Sequence, residues 1–168
     1  QLVPSLRLTV ILKEFNIFYN VPIDLSHTEI EGILLYELQF YISYLIRKGK
    51  ITRVKLNEDL KMYRKLLKLT NNLPEEISEE WIKGQNHYEL NCDKIYHLAN
   101  LLPYILLNNN VSYDEHFKCF ILHLEYLKYL LKYSLKKSDL NTINYLIMNH
   151  QKIFYYLYSK CYEKLDYI

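Results

Sequence analysis

Residues 26–49 read SHTEIEGILLYELQFYISYLIRKG, and this stretch decides the fold. Ile30, Ile33, Leu34, Leu38, Tyr41 and Leu45 recur at the three-to-four-residue spacing of one helix face. Phe40, Ile42 and Ile46 widen that stripe almost all the way round. A helix apolar on nearly every side must be covered on nearly every side, so the helix over 29–48 is expected at the centre of a bundle. Ser26 with Glu29 has the spacing of a capping box, in which Ser26 caps and Glu29 reaches back. Gly49 supplies the stop.

Helical patterns continue on both sides. Residues 5–20 (SLRLTVILKEFNIFYN) place Leu6, Val10, Ile11 and Phe15 on one face. That helix should end at Val21-Pro22, because a residue before proline avoids the helical region. Residues 50–56 (KITRVKL) alternate and read as a short strand or a linker. A helix capped by Asn57 is expected to about residue 70, where NNLP at 71–74 breaks it. A short acidic helix over about 75–83 should stop at Gly84, before a loop at 85–91. The helix over about 91–107 contains Pro103, which is expected to kink or split it. Ser112-Tyr113-Asp114-Glu115 forms a second capping box. It opens a helix over 112–133, and a last helix runs over 138–161. The joint between these two is short, so they should pack antiparallel. The expected fold is all-α: residues 1–168 as a single-domain bundle of about six or seven helices, with any sub-boundary at 71–91.

Composition supports this class. Of 168 residues, 50% are hydrophobic and 24% charged, which excludes intrinsic disorder. Three glycines and four prolines are too few for a turn-rich β-sandwich or barrel. The formal charge of +2 forces neither a nucleic-acid nor a membrane partner. The three cysteines, Cys92, Cys119 and Cys161, form no C-x-x-C pair and cannot all be paired within one chain. A reduced intracellular setting, cytoplasmic or nuclear, is therefore expected, with a secreted effector as the alternative. No apolar run reaches the ~18 residues of a spanning helix. The longest, 33–46, is interrupted by Glu37, Gln39 and Ser43, so no membrane span is expected. The chain lacks an initiator Met and reads as a fragment or a processed product. Eighteen tyrosines beside abundant Ile, Asn and Lys read as an AT-rich coding bias.

Charge concentrates in residues 47–68. Arg47, Lys48, Lys50, Arg53, Lys55, Lys61, Arg64, Lys65 and Lys68 face only Glu58 and Asp59, a local excess of +7. Lys61, Arg64, Lys65 and Lys68 share one helix face opposite Leu60, Tyr63 and Leu67. Such a stripe could contact phosphates. The plainer reading is a solvated face, or one paired with Glu75, Glu76, Glu79 and Glu80 just downstream.

His116, Cys119 and His123 fall at i, i+3 and i+7, near one helix face, where a borderline metal would accept them. A fourth ligand would have to come from Cys92, His97 or His150. Closed zinc sites bring ligand pairs on two short segments, and no second pair is evident. The plainer reading makes His116 and His123 boundary residues and Cys119 a small core residue, with no metal and no cofactor. Catalysis is not expected: no G-x-S-x-G elbow, phosphate-cradling loop or H-E-x-x-H helix occurs. Tyr126, Tyr129 and Tyr133, with Tyr155 and Tyr158, form a stripe that suits a partner-binding face. Coding bias toward Tyr is the alternative.

Residues 97–158 also carry Leu101-Leu102-Pro103, Asp114-Glu115-His116-Phe117, a Leu-rich helix with Glu125, Asp139, then Leu146-Ile147 and His150 before Phe154 and Leu157-Tyr158. This stretch resembles a segment of long proteins encoded by animal transposable elements. The resemblance implies a mobile-element or domesticated origin and raises the case for nucleic-acid contact, and it carries over no catalytic residue. The function expected is a non-enzymatic helical interaction module that binds another protein, or an accessory domain of a mobile-element-derived protein. The alternatives are nucleic-acid binding through 47–68, and a viral or parasite effector that takes a partner helix in a groove.

Overall fold

The computed structural model describes Asp24, residues 26–86 and residues 89–162, the last three without their side chains. The helix expected over 5–20 lies outside the described residues. Among the described residues there are six α-helices, one π-helical segment and no strand. The π segment, Ser26–Leu34, runs directly into α1, Leu35–Arg47. Then follow α2 (Arg53–Leu67), α3 (Glu79–Ile82), α4 (Cys92–Asn108), α5 (Glu115–Leu130) and α6 (Lys137–Tyr162). None of them is long and apolar enough to cross a membrane.

The expected capping box at Ser26 does not form. The Asp24 carboxylate accepts from the His27 amide at 3.1 Å instead, and Glu29 turns into the interior. The backbone there is wound wider than an α-helix. Gly32 suits that coil, because a Cβ at this position would meet the His27 carbonyl oxygen at 3.2 Å.

The alternating residues 50–56 are neither strand nor linker throughout. Thr52 accepts from the Lys55 amide and starts α2 at Arg53, so Asn57 is not the cap. Asn57 instead exchanges two hydrogen bonds with the Ile77 backbone, tying α2 to the following loop. Ser112 is likewise not the cap of α5, because Asp114 accepts from the Phe117 amide at 2.9 Å. The acidic helix shrinks to α3, capped by Ser78. Pro103 lies inside α4, which continues through it.

The core gathers on α1. Leu34, Leu38, Tyr41, Ile42 and Leu45 are fully buried with Leu56, Leu60, Trp81, Ile95, Leu98, Ile105 and Phe120. α1 packs against α3 and α5, and the π segment against α4, which makes the 29–48 helix central as its all-round apolarity requires. Leu73, Ile77 and Leu90 join the same core, so it runs on through the 71–91 segment. The most extensive packing is between α5 and α6. They are antiparallel: His116 meets Tyr158, whereas Cys119 and His123 further along α5 meet His150 further back on α6.

Candidate functional site

The polar groups of greatest interest lie where the π segment, α1, α5 and α6 meet. Glu37 is in the first turn of α1 and is wholly buried. Its Oε2 is 2.5 Å from His123 Nδ1 on α5 and 2.9 Å from His150 Nε2 on α6. An ionised carboxylate only accepts, so both rings donate to it. The other nitrogen of His123, Nε2, is 3.1 Å from Glu29 Oε1, an ion-pair distance without the alignment of a hydrogen bond. The Tyr126 hydroxyl donates to that same Glu29 oxygen at 2.5 Å. The Cys119 thiol points to the His150 carbonyl, 3.9 Å away. Glu37 Oε1 is left buried with no hydrogen-bond partner. His123 stacks on Tyr126 and meets His150 edge-on, so the rings are held by packing as well as by charge.

The electrostatics follow from burial and closure. Burial alone pushes the Glu37 carboxyl up, but hydrogen bonds from His123 and His150 and their charge outweigh it and hold the group well below the usual carboxylate range. Glu29 shows the same contest, with His123 and then Tyr126 holding it down. Burial pushes His123 down, and its two carboxylate neighbours, Glu29 and Glu37, override this and raise it. Cys119 is pushed up by burial and by the Glu37 charge, so its thiol stays protonated and is no nucleophile.

Three members of this cluster, Glu29, Tyr126 and His150, also line a cleft of about 810 Å³. Its walls are Ile33 of the π segment, Leu130 of α5, and Ile147 and Phe154 of α6. An apolar cleft that ends on a few converging polar groups is the usual form of a binding site.

The residues singled out from sequence distribute unevenly. His123 is in the cluster and His150, named as a fourth ligand, is there as well. His116 is not: it stacks on Tyr44 with ring centres 3.7 Å apart and shares a 3.0 Å hydrogen bond with Tyr158. His97 lies 3.4 Å from Asp93, and the Cys92 amide donates to Glu31. The tyrosine stripe splits. Tyr126 and Tyr158 are buried, Tyr129 lies under the Lys132 ammonium, and Tyr133 and Tyr155 are exposed.

The basic segment splits too. Lys50 binds Asp114 at 2.6 Å, Lys55 binds Asp59 at 2.7 Å, and Arg64 reaches the Thr70 carbonyl and Glu75. Of the four downstream glutamates, Glu75 pairs with α2, whereas Glu79 pairs with Lys83. Arg47, Lys48, Lys61, Lys65 and Lys68 are exposed and form no ion pair among the described residues. Arg53 is half-buried.

Sequence reasoning missed Glu29 and Glu37. A signal for Glu37 was present: Leu34, Glu37 and Tyr41 stand at i, i+3 and i+7, which puts a carboxylate on the most apolar face in the chain. A charge there must find partners inside.

Comparison with protein-family models, with curated proteins and with solved structures returned no match.

Proposed function

We propose that the chain is a non-enzymatic helical interaction module whose working element is α6, and that it receives an amphipathic helix of a partner protein. The supporting observation is the outward strip of α6. Leu140, Tyr145, Met148, Tyr155 and Tyr156 are all more than half exposed. The apolar cleft opens along the same helix, and Tyr155 belongs both to its lining and to the exposed strip. An uncovered apolar strip of this kind marks an interaction surface. Leu140 to Tyr156 spans about 24 Å at 1.5 Å per residue, the length of four turns of a helix laid alongside. Tyr is well suited to such contacts, with a large apolar ring and a polar tip.

The test is a photo-crosslinking residue placed at Met148 or Tyr155, with Lys65 as the control site. Cross-links from α6 to one partner protein are expected, and those from Met148 should be lost in Tyr155→Glu. A monodisperse monomer with no cross-link from either position contradicts the proposal. Cross-links to a second copy of the chain contradict the heterologous partner.

A second reading rests on the unpaired cations of 47–68. Arg47, Lys48, Lys61, Lys65 and Lys68 are free to neutralise phosphates. Affinity for labelled duplex or single-stranded nucleic acid should then fall steeply with salt, and Lys61→Glu with Lys65→Glu should flatten that slope. No binding at low salt removes this reading.

A further inference from the structure

We propose that Glu37, His123 and His150 form a three-ligand site for one divalent transition-metal ion of the zinc type, with Glu29 holding His123 from behind. Two imidazoles and one carboxylate are a donor set that zinc accepts while keeping a further position for water. One ligand atom from each of the three residues lies within 4.8 Å of the others. They come from α1, α5 and α6, so an ion here would join three helices that meet nowhere near one another in sequence.

The convergence of the groups on one point suits an ion. His123 Nδ1 and His150 Nε2 both aim at one carboxylate oxygen, at 2.5 and 2.9 Å. Zinc bonds of about 2.0–2.1 Å put neighbouring ligand atoms about 3.3 Å apart, so each ring needs to draw back only slightly from the Glu37 oxygen for an ion that replaces two ring protons. Behind His123, Glu29 Oε1 sits 3.1 Å from Nε2 and is itself fixed by Tyr126. A carboxylate on the far nitrogen is what holds the ring orientation of metal-bound histidines. A closed network would use all its atoms, yet Glu37 Oε1 is buried without a hydrogen bond. Of the three ligands, His150 lines the cleft.

The test is zinc chloride titrated calorimetrically into the chelator-stripped chain, together with ring-nitrogen NMR of the unsubstituted protein. One equivalent should bind, moving the ring resonances of His123 and His150 and leaving those of His27 and His97 in place. Uptake should vanish in His150→Asn and weaken about 10–100-fold in Glu29→Gln. No uptake, uptake that survives His150→Asn, or shifts confined to His27 and His97, which pair with surface carboxylates, would overturn the site. The NMR of the unsubstituted chain decides the matter if either variant fails to fold.

Discussion

The molecule holds charge in two contrasting ways. On α2, Lys61 and Lys65 stand in water, and Arg64 reaches the largely exposed Glu75, while Lys55 closes on a buried carboxylate, Asp59. At the junction of the π segment, α1, α5 and α6, Glu37, His123 and His150 are out of water, and both rings lie within 2.9 Å of one Glu37 oxygen. Exposed charges are screened and each contributes little. Buried ones are costly to strand, because a lost partner leaves an unpaired charge where water cannot follow. The dense basic run is therefore conspicuous in the sequence and weak in the fold. The five scattered residues Glu29, Glu37, His123, Tyr126 and His150 are inconspicuous in the sequence and constrain four segments at once.

The largest expected effect of this contrast is at Glu37. Glu37→Ala takes from His123 one of its two buried carboxylates and from His150 its carboxylate, and should cost about 3–5 kcal/mol, read as a fall in urea midpoint. Lys65→Glu on α2 should leave the midpoint nearly unchanged. Equal effects at the two sites would erase the distinction.

Acidity should separate the regions next. Glu37 and Glu29 are held below their ordinary values, so their stabilisation is complete above the unfolded carboxyl value of about 4.3 and is lost as pH falls. His123 is raised, so its contribution is complete below the unfolded imidazole value of about 6.5 and is lost as pH rises through its folded value. The metal-free chain should therefore be stabilised most by this cluster between about pH 4.3 and 6.5. A urea midpoint that shows no such maximum, or one that keeps it in His123→Leu, would contradict the assignment.

A smaller effect is expected at Tyr126. Tyr126→Phe removes a donor to a charged carboxylate and should cost about 1.5–3 kcal/mol in the same assay. The smallest lies at the end of α2, where Lys68 adopts a left-handed conformation with φ of 57°. Lys68→Gly relieves that and should stabilise by about 0.5–1 kcal/mol, after the entropy that glycine adds to the unfolded chain.

Helix class and the central position of 29–48 were legible because apolar periodicity is local. Segment 112–133 and segment 138–161 were recognisable as an antiparallel pair for the same reason, with their joint short. The caps were less legible. Ser26, Asn57 and Ser112 all had acceptable side chains, but Asp24, Thr52 and Asp114 took the places, since caps depend on where packing fixes the first turn. The cluster was nearly invisible because its pairs span 86 and 113 residues. His123 was singled out with His116 and Cys119 by helix spacing, yet its real partners are on other helices. Glu37 alone gave a local warning, as a carboxylate on the apolar stripe of the central helix.

The most direct test of an interlocked interior is a double-mutant cycle on Glu37→Leu and His123→Leu, followed by urea unfolding. Each single substitution leaves the other buried group short of one charged partner, and the double substitution removes both groups. The expected result is a double variant markedly less destabilised than the two single effects added together. Additive effects would mean that Glu37 and His123 do not depend on each other, and the cluster would then not be what joins α1 to α5.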